Sequence, residues 1–379
     1  MTSNEPLLPK DLFVGLEQVT HLCTGGEAPW LCGFEEVYKE FARLKSDGLA
    51  GRERVYEIGD ECRDLMGQLW GVPGHRIAFM PSATEGMNWL ARGLEWKPGD
   101  NVVTDNLEFP SVAYAWRDLA EAGVEIRMVE HDDFHIDEDA LLSKVDARTR
   151  VLAVSQVSFY TGQNLDIRRL ALGLRTSAPS TLLAVDATHA AGVVDVSADV
   201  TDICVSSSYK WLLATHGTAP CFLSERAESV TRGSSYGWHN LAVWPAQGAE
   251  RAPTVDEKPM PMRLEPGNPA MVVVLFLHHA LSQLLEVGIG PIQEHAWNLS
   301  ERIDAGLRDL GHTVISPSAR VARSGNTCFL VPDAAALQQD LARERVLVWG
   351  EYGRVRISGH LYNDDSDVDR ILEILGKIR

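Results

Sequence analysis

Apolar and polar positions alternate between two periods along the first two thirds of the chain. Residues 35–70 (EEVYKEFARLKSDGLAGRERVYEIGDECRDLMGQLW) carry apolar side chains at helical spacing, and the glycines Gly48 and Gly51 predict a break between two helices. Short apolar runs then recur at 76–80, 101–105, 125–130, 150–158, 181–188, 202–208 and 219–224. They are rich in Val, Ile, Leu and Phe, as strands buried on both faces are, and most intervals between them leave room for a crossover helix. This alternation predicts an α/β fold, a mostly parallel central sheet with helices on both faces.

From about 225 to 269 the periodicity stops and Gly, Pro, Trp and polar residues take over. A stretch of that length is functional or disordered in most proteins. Helical spacing resumes at 270–310, followed by strand-like runs at 312–316, 326–331, 346–351 and 354–358 and a closing helix at 366–378, which predicts a smaller α+β unit. The expected division is an N-terminal segment, residues 1–20, joining the small domain, a large domain over 21–264 and a small C-terminal domain over 265–379.

The length of 379 residues also suits two units at about 100–200 residues each. Counting 35 Lys and Arg against 53 Asp and Glu gives a net charge of −18, which excludes a broad phosphate-contacting surface, so no nucleic-acid partner is expected. No apolar run approaches the roughly 20 residues that span a bilayer. The opening MTSNEPLLPK lacks a charged segment followed by an apolar one, so no membrane partner and a cytoplasmic location are expected. Six cysteines, Cys23, Cys32, Cys62, Cys204, Cys221 and Cys328, form no CxxC pair and predict free thiols, and no His/Cys spacing suggests a metal site.

Three places carry candidate chemistry. The strand-like RIAFM runs into Pro81-Ser82-Ala83-Thr84-Glu85-Gly86 and then into helical periodicity. Backbone N–H groups and hydroxyls at such a helix start hold an anion without net positive charge, although a plain N-cap has the same composition. Lys210 follows the run DICVSSSY directly and precedes Trp-Leu-Leu. In semi-apolar surroundings an ammonium is destabilised and the amine becomes a usable nucleophile; the alternative is a stem lying on apolar surface with its head in water. Asp186 ends LLAVD, at the sheet edge where open α/β sheets bind ligands. Either a cation partners it there, or it caps the next helix, with His189 a helix-face histidine.

An anion cradle, a strand-end carboxylate and an amine 24 residues later are what pyridoxal 5'-phosphate requires. On these residues the chain resembles the class V aminotransferases among the fold type I pyridoxal phosphate enzymes, a group that includes cysteine desulfurases, kynureninase and isopenicillin N epimerase-like proteins. The resemblance implies a homodimer with shared active sites acting on a small-molecule substrate, an amino acid or related amine. It implies that Ala83 and Thr84 hold the phosphate, that Phe109 stacks on the cofactor ring and that Gln156 contacts the ring hydroxyl or imine region. Asp186 would pair with the pyridinium, with His189 beside the ring hydroxyl. Ser207 and Tyr209 would bind phosphate before the imine-forming Lys210, and Tyr209 stands where relatives often have His. Asn268 in EPGNP replaces a common Thr that reaches the other subunit's phosphate.

The resemblance further implies that Arg356 grips the substrate's α-carboxylate, with Gly25 and Gly26 passing the same group. A desulfurase needs a cysteine on a loop shortly before that arginine, and VLVWGEYGRVR contains none, so desulfuration is disfavoured. The absence of GxGxxG after any strand disfavours a nicotinamide enzyme. Aminotransfer is the expected reaction, with C–S β-elimination or epimerisation as alternatives. A binding protein that kept the fold and lost the chemistry would be expected to have lost Lys210 or Asp186 first. The segment 225–269, with Trp238, His239, Trp244 and Asn268, is expected to pack across the two-fold interface.

Overall fold

The computed structural model describes residues 4–242 and 256–378. In chain order its strands and helices are β1 (Thr20–His21), α1 (Phe34–Ser46), α2 (Gly48–Trp70), β2 (Ile77–Met80), α3 (Ala83–Gly93), β3 (Asn101–Asp105), α4 (Pro110–Ala113) and β4 (Glu125–Val129). There follow α5 (Glu138–Ser143), β5 (Thr149–Ser155), α6 (Ile167–Ser177), β6 (Leu182–Asp186), β7 (Ile203–Val205), β8 (Ala219–Leu223) and α7 (Glu225–Val230). The last third holds α8 (Met271–Val287), α9 (Ile289–Asp309), β9 (Thr313–Val314), β10 (Asn326–Leu330), α10 (Ala334–Arg343), β11 (Val346–Leu347), β12 (Trp349–Glu351), β13 (Arg354–Ser358) and α11 (Asp365–Lys377).

The seven apolar runs of the first two thirds are the seven strands of one sheet, ordered β2-β8-β7-β6-β5-β3-β4. All pairs are parallel except those of β8, which runs against both β2 and β7. The middle strands β5 and β6 bury nearly every residue because helices cover both faces, which is why they read as unbroken apolar runs. One face packs against two clusters, one containing Cys62, Trp70, Val194 and Trp211 and one containing Leu170, Leu174, Leu152 and Val185; the other face packs against a cluster containing Met87, Leu90, Val112 and Trp116.

The C-terminal third forms a four-stranded antiparallel sheet, β12-β13-β10-β9, backed by α9, α10 and α11 around Leu299, Ile303, Phe329 and Val368. The N-terminal segment is tied to this part: β1 pairs parallel with β11, and Lys10 meets both Asp364 (2.9 Å) and Asp367 (3.0 Å). Helix α8, just past residue 265, packs its Val274, Phe276 and Leu277 into the cluster of Phe34, Met66 and Trp70 beside the large sheet. The chain then turns by 80° into α9.

Three elements depart from the pattern reading. The stretch expected to be aperiodic opens with α7, whose N-cap Ser224 accepts from the Ala227 N–H; six residues are too few to show a period. Helix α10 was hidden for the same reason. The run 346–351 is two strands in two different sheets, since Val348 lies between β11 and β12. Among the described residues no single helix is long and apolar enough to cross a membrane, and no group of three or more His, Cys, Asp or Glu is placed to hold a metal ion.

Candidate active site

At the carboxyl edge of the large sheet lies a pocket lined by Ala83, Phe109, Ser155, Asp186, His189 and Lys210. Its walls come from five strand ends, those of β2, β3, β5, β6 and β7, that the topology delivers to one edge. After β2, helix α3 begins at the pocket, its N-cap Ser82 accepting from the Glu85 N–H (3.2 Å). Ala83 is buried against the cavity, and the Thr84 hydroxyl bonds to that of Ser111 (2.7 Å) on α4. Two hydroxyls and the open first turn of a helix therefore face the same space.

After β3, Phe109 sets its ring at the rim, 38% exposed and edge-on to Phe159 at 5.1 Å. After β6, Asp186 lies buried with Oδ1 accepting from the Thr188 N–H (2.8 Å). Burial raises its pKa, and the charge of Lys210 opposes that rise. After β7, Ser207 and Tyr209 line the pocket; the Thr188 hydroxyl accepts from the Ser207 N–H (3.0 Å), and the Tyr209 ring stacks on His216 at 3.9 Å.

Lys210 is 8% exposed. Its Nζ lies 3.1 Å from His189 Nε2 and 5.5 Å from the ring centres of both Phe109 and Tyr209. Burial is the main reason its pKa falls to about 7, Arg356 adds to the fall, and Asp186 and Glu27 resist it. The lysine is thus a free amine over a range where an exposed lysine is an ammonium.

Arg356, on β13 of the small sheet, is buried, donates through Nη1 to the Phe159 carbonyl (2.9 Å) and leaves Nε without a partner. Gly25 and Gly26 run against it. A Cβ on Gly25 would stand 2.7 Å from Asn326 Oδ1 and 3.2 Å from Arg356 Nε, and one on Gly26 2.7 Å from Trp349 Cε3, so only glycine lets this segment lie so close.

Two expected site residues are elsewhere. Gln156 continues beyond β5 with its side chain on the far side: Nε2 donates to the Asp195 carbonyl (2.6 Å) and Oε1 accepts from the Ser197 N–H (3.4 Å). Period-two alternation turns Ser155 and Val157 to the pocket and Gln156 away, and the resemblance had overridden that parity. Asn268 is exposed and accepts from the hydroxyl of Tyr56 (2.8 Å), which lines a surface hollow with Arg52, Trp238 and His239 that is separate from the pocket. Trp244 lies outside the described residues.

Sequence reasoning missed Ser111, Ser155, Thr188 and Glu108. Thr188 was legible, two residues past a strand-end Asp; the others needed the fold. Glu108 accepts from the hydroxyl (2.5 Å) and the N–H of Ser155 below Phe109. Burial and the neighbouring carboxylates Asp105 and Asp186 hold its pKa well above the usual carboxylate range.

A family model described as aminotransferase class V matches residues 35–371. Among curated proteins, an uncharacterized aminotransferase of Schizosaccharomyces pombe is 26% identical over 84% of this chain and 81% of its own length. A probable cysteine desulfurase of Methanothermobacter thermautotrophicus is 25% identical over 84% and 83%. Among solved structures, the apo cysteine desulfurase from Thermococcus onnurineus aligns with a TM-score of 0.89 at 20% identity, covering 98% of each chain. The cystine C–S lyase C-DES aligns at 0.87 and 20% identity, covering 96% of this chain and 99% of its own. Relatives named desulfurases give no support to setting that activity aside. With the pocket of Lys210 and Asp186 at the edge of this sheet, the chain belongs to the class V aminotransferase family of fold type I, pyridoxal phosphate-dependent enzymes.

Proposed function

We propose that this enzyme binds an α-amino acid through Arg356 and transfers its amino group, using Lys210 as the amine that carries the cofactor and as the base at the substrate's Cα. The observation that carries the reading is the buried Lys210 amine, its pKa near 7, facing Asp186 on one side and the cation of Arg356 on the other.

The residues fit pyridoxal phosphate. Thr84, Ser111 and Ser207 with the start of α3 suit its phosphate, and the buried Asp186, which has no cation in ion-pair contact among the described residues, suits a protonated ring nitrogen. When bound, the cofactor supplies an aldehyde and an electron sink. Asp186 would hold the proton on the ring nitrogen, Phe109 would cover one side and keep water out, and Lys210 Nζ would take the Cα proton and, for amino transfer, give it up at the cofactor's aldehyde carbon rather than return it to Cα. The Arg356 fork aligns the carboxylate, with its Nε free to donate.

A second reading, C–S cleavage of a sulfur-containing amino acid, is favoured by the relatives named desulfurase and lyase. Against the persulfide form of it stands the hairpin between β12 and β13, where Tyr352 and Gly353 alone make the turn and no thiol loop precedes Arg356. We read the active enzyme as a homodimer, with the hollow around Asn268 and Trp238 facing the partner.

The experiment is borohydride reduction with peptide mapping, followed by product analysis on a panel of amino acids with and without a keto acid acceptor. The expected result is a link at Lys210 and acceptor-dependent amino transfer. Pyruvate and sulfide without an acceptor would replace transfer by elimination, inverted amino acid would replace it by epimerisation, and a link at another lysine would overturn the assignment.

A further inference from the structure

His189 sits between two groups whose hydrogen-bonding roles are fixed. Its Nδ1 faces the Trp211 indole N–H (3.5 Å) and the Asn326 side-chain nitrogen (3.1 Å). An indole nitrogen only donates. That indole makes Nδ1 the acceptor, and the Asn326 amide agrees with it, its oxygen taking the Ser358 hydroxyl (2.8 Å) and its NH2 turned toward the imidazole. With donors on Nδ1, that nitrogen is the acceptor, and the ring proton must be on Nε2. Nε2 is the atom 3.1 Å from Lys210 Nζ.

We propose that Asn326 and Trp211 are positioning residues which fix the tautomer of His189, so that its Nε2–H donates to the lone pair of Lys210 and holds that lysine as a neutral amine. Asn326 is on β10 of the small sheet, 137 residues from His189, so the tautomer is set by how the small sheet docks onto the large one. The charged neighbours agree. His189 is kept far below its usual pKa by burial and by the cations of Lys210, Arg356 and Arg354. Lys210 faces Arg356 from β13, Asp186 from β6, and Glu27 and Cys23 from the N-terminal segment. None of these is placed on Nδ1, where the polarity of the network is decided.

The tautomer is a property of the chain itself, while its value to catalysis rests on the proposed role of Lys210. Long-range 1H–15N spectra of the full-length protein labelled at histidine read it directly, with the His189 signal identified by its loss in His189→Gln. The expected spectrum has a protonated Nε2 and a bare Nδ1; a protonated Nδ1, or an imidazolium, near neutral pH overturns the proposal. Asn326→Asp offers a carboxylate to Nδ1 and should move the proton there, turning Nε2 into an acceptor that favours the ammonium. The pH midpoint for reductive trapping of pyridoxal phosphate at Lys210 should then rise by roughly one unit or more. The added charge alone would raise that midpoint without moving the ring proton, so a proton still on Nε2 in Asn326→Asp counts against the proposal. Should that variant not fold, Asn326→Ala combined with Trp211→Phe removes both donors, and an unchanged pure Nε2–H tautomer there is equally fatal. If no cofactor attaches to Lys210 in the parent, the proposed function fails while the spectra still decide the tautomer.

Discussion

Two buried arginines, one behind the large sheet and one at its edge, differ in what the chain gives them. Arg63 on α2 has every nitrogen committed: Nε to the Ile77 carbonyl (3.0 Å), Nη1 to Asp60 (3.1 Å) and Nη2 to the buried Glu265 (2.5 Å), with its plane over the Phe79 ring at 4.6 Å. Glu265 Oε1 also accepts from the Phe79 N–H (2.8 Å). Arg356 is as deeply buried, yet among the described residues no carboxylate pairs with it and its Nε has no partner. Burying a cation without its anion is costly. A chain that completes one such pair and leaves another open 3.2 Å from where a Gly25 Cβ would stand fits the role proposed for Arg356, in which the second anion is the substrate's carboxylate. Lys210 belongs with Arg356, an amine whose pKa is lowered first by burial and further by that same cation.

The sharpest way to test the contrast is stability against pH in the cofactor-free chain. The folded-state pKa of Lys210 is about 7 against 10.5 for a free lysine, so between those values the unfolded chain binds more protons and stability rises with pH. The full cost applies below about pH 7 and vanishes above about 10.5. Lys210→Met should therefore be more stable than the parent at pH 6, by at most about 5 kcal/mol, with the gap closing toward pH 10 in urea unfolding. A variant no more stable at pH 6 would mean the amine is better solvated than its burial indicates.

On the paired side the sign reverses. Glu265→Ala strands the Arg63 guanidinium and should cost about 3–5 kcal/mol in the same unfolding measurement. Arg356→Ala should leave unfolding nearly unchanged and instead raise KM for an α-amino carboxylate roughly tenfold or more, as loss of a buried charge-assisted pair does. Equal destabilisation by Glu265→Ala and Arg356→Ala would erase the distinction. The smallest effect is expected at Asn268, exposed and, among the described residues, bonded through its side chain to Tyr56. Asn268→Ala should change stability by less than about 0.5 kcal/mol but weaken cofactor retention if its face completes the partner's pocket, as equilibrium dialysis of the dimer would show.

Much of this was legible in the residues themselves. The seven runs read as strands between 76 and 224 are strands, and the middle ones β5 and β6 are almost unbroken in apolar residues because helices cover both their faces. Asp186 and Lys210 stood out because a strand end followed by a charge is a local feature. Short elements such as α7 and α10 were not legible, since six and ten residues hold fewer than three helical turns.

What the sequence determined by itself is the order of strands and helices and the identity of the amine and carboxylate at the sheet edge, because these follow from spacing along one stretch of chain. Direction and partnership were decided only by the tertiary structure. Parity along β5 turned Gln156 from the pocket and Ser155 toward it. The crossing of the two sheets brought Asn326 and Ser358 to His189, and the N-terminal segment had to lose two Cβ atoms at Gly25 and Gly26 to pass Arg356. Side chains far apart in sequence meet only after several elements have packed, and no local period encodes which of them share a proton.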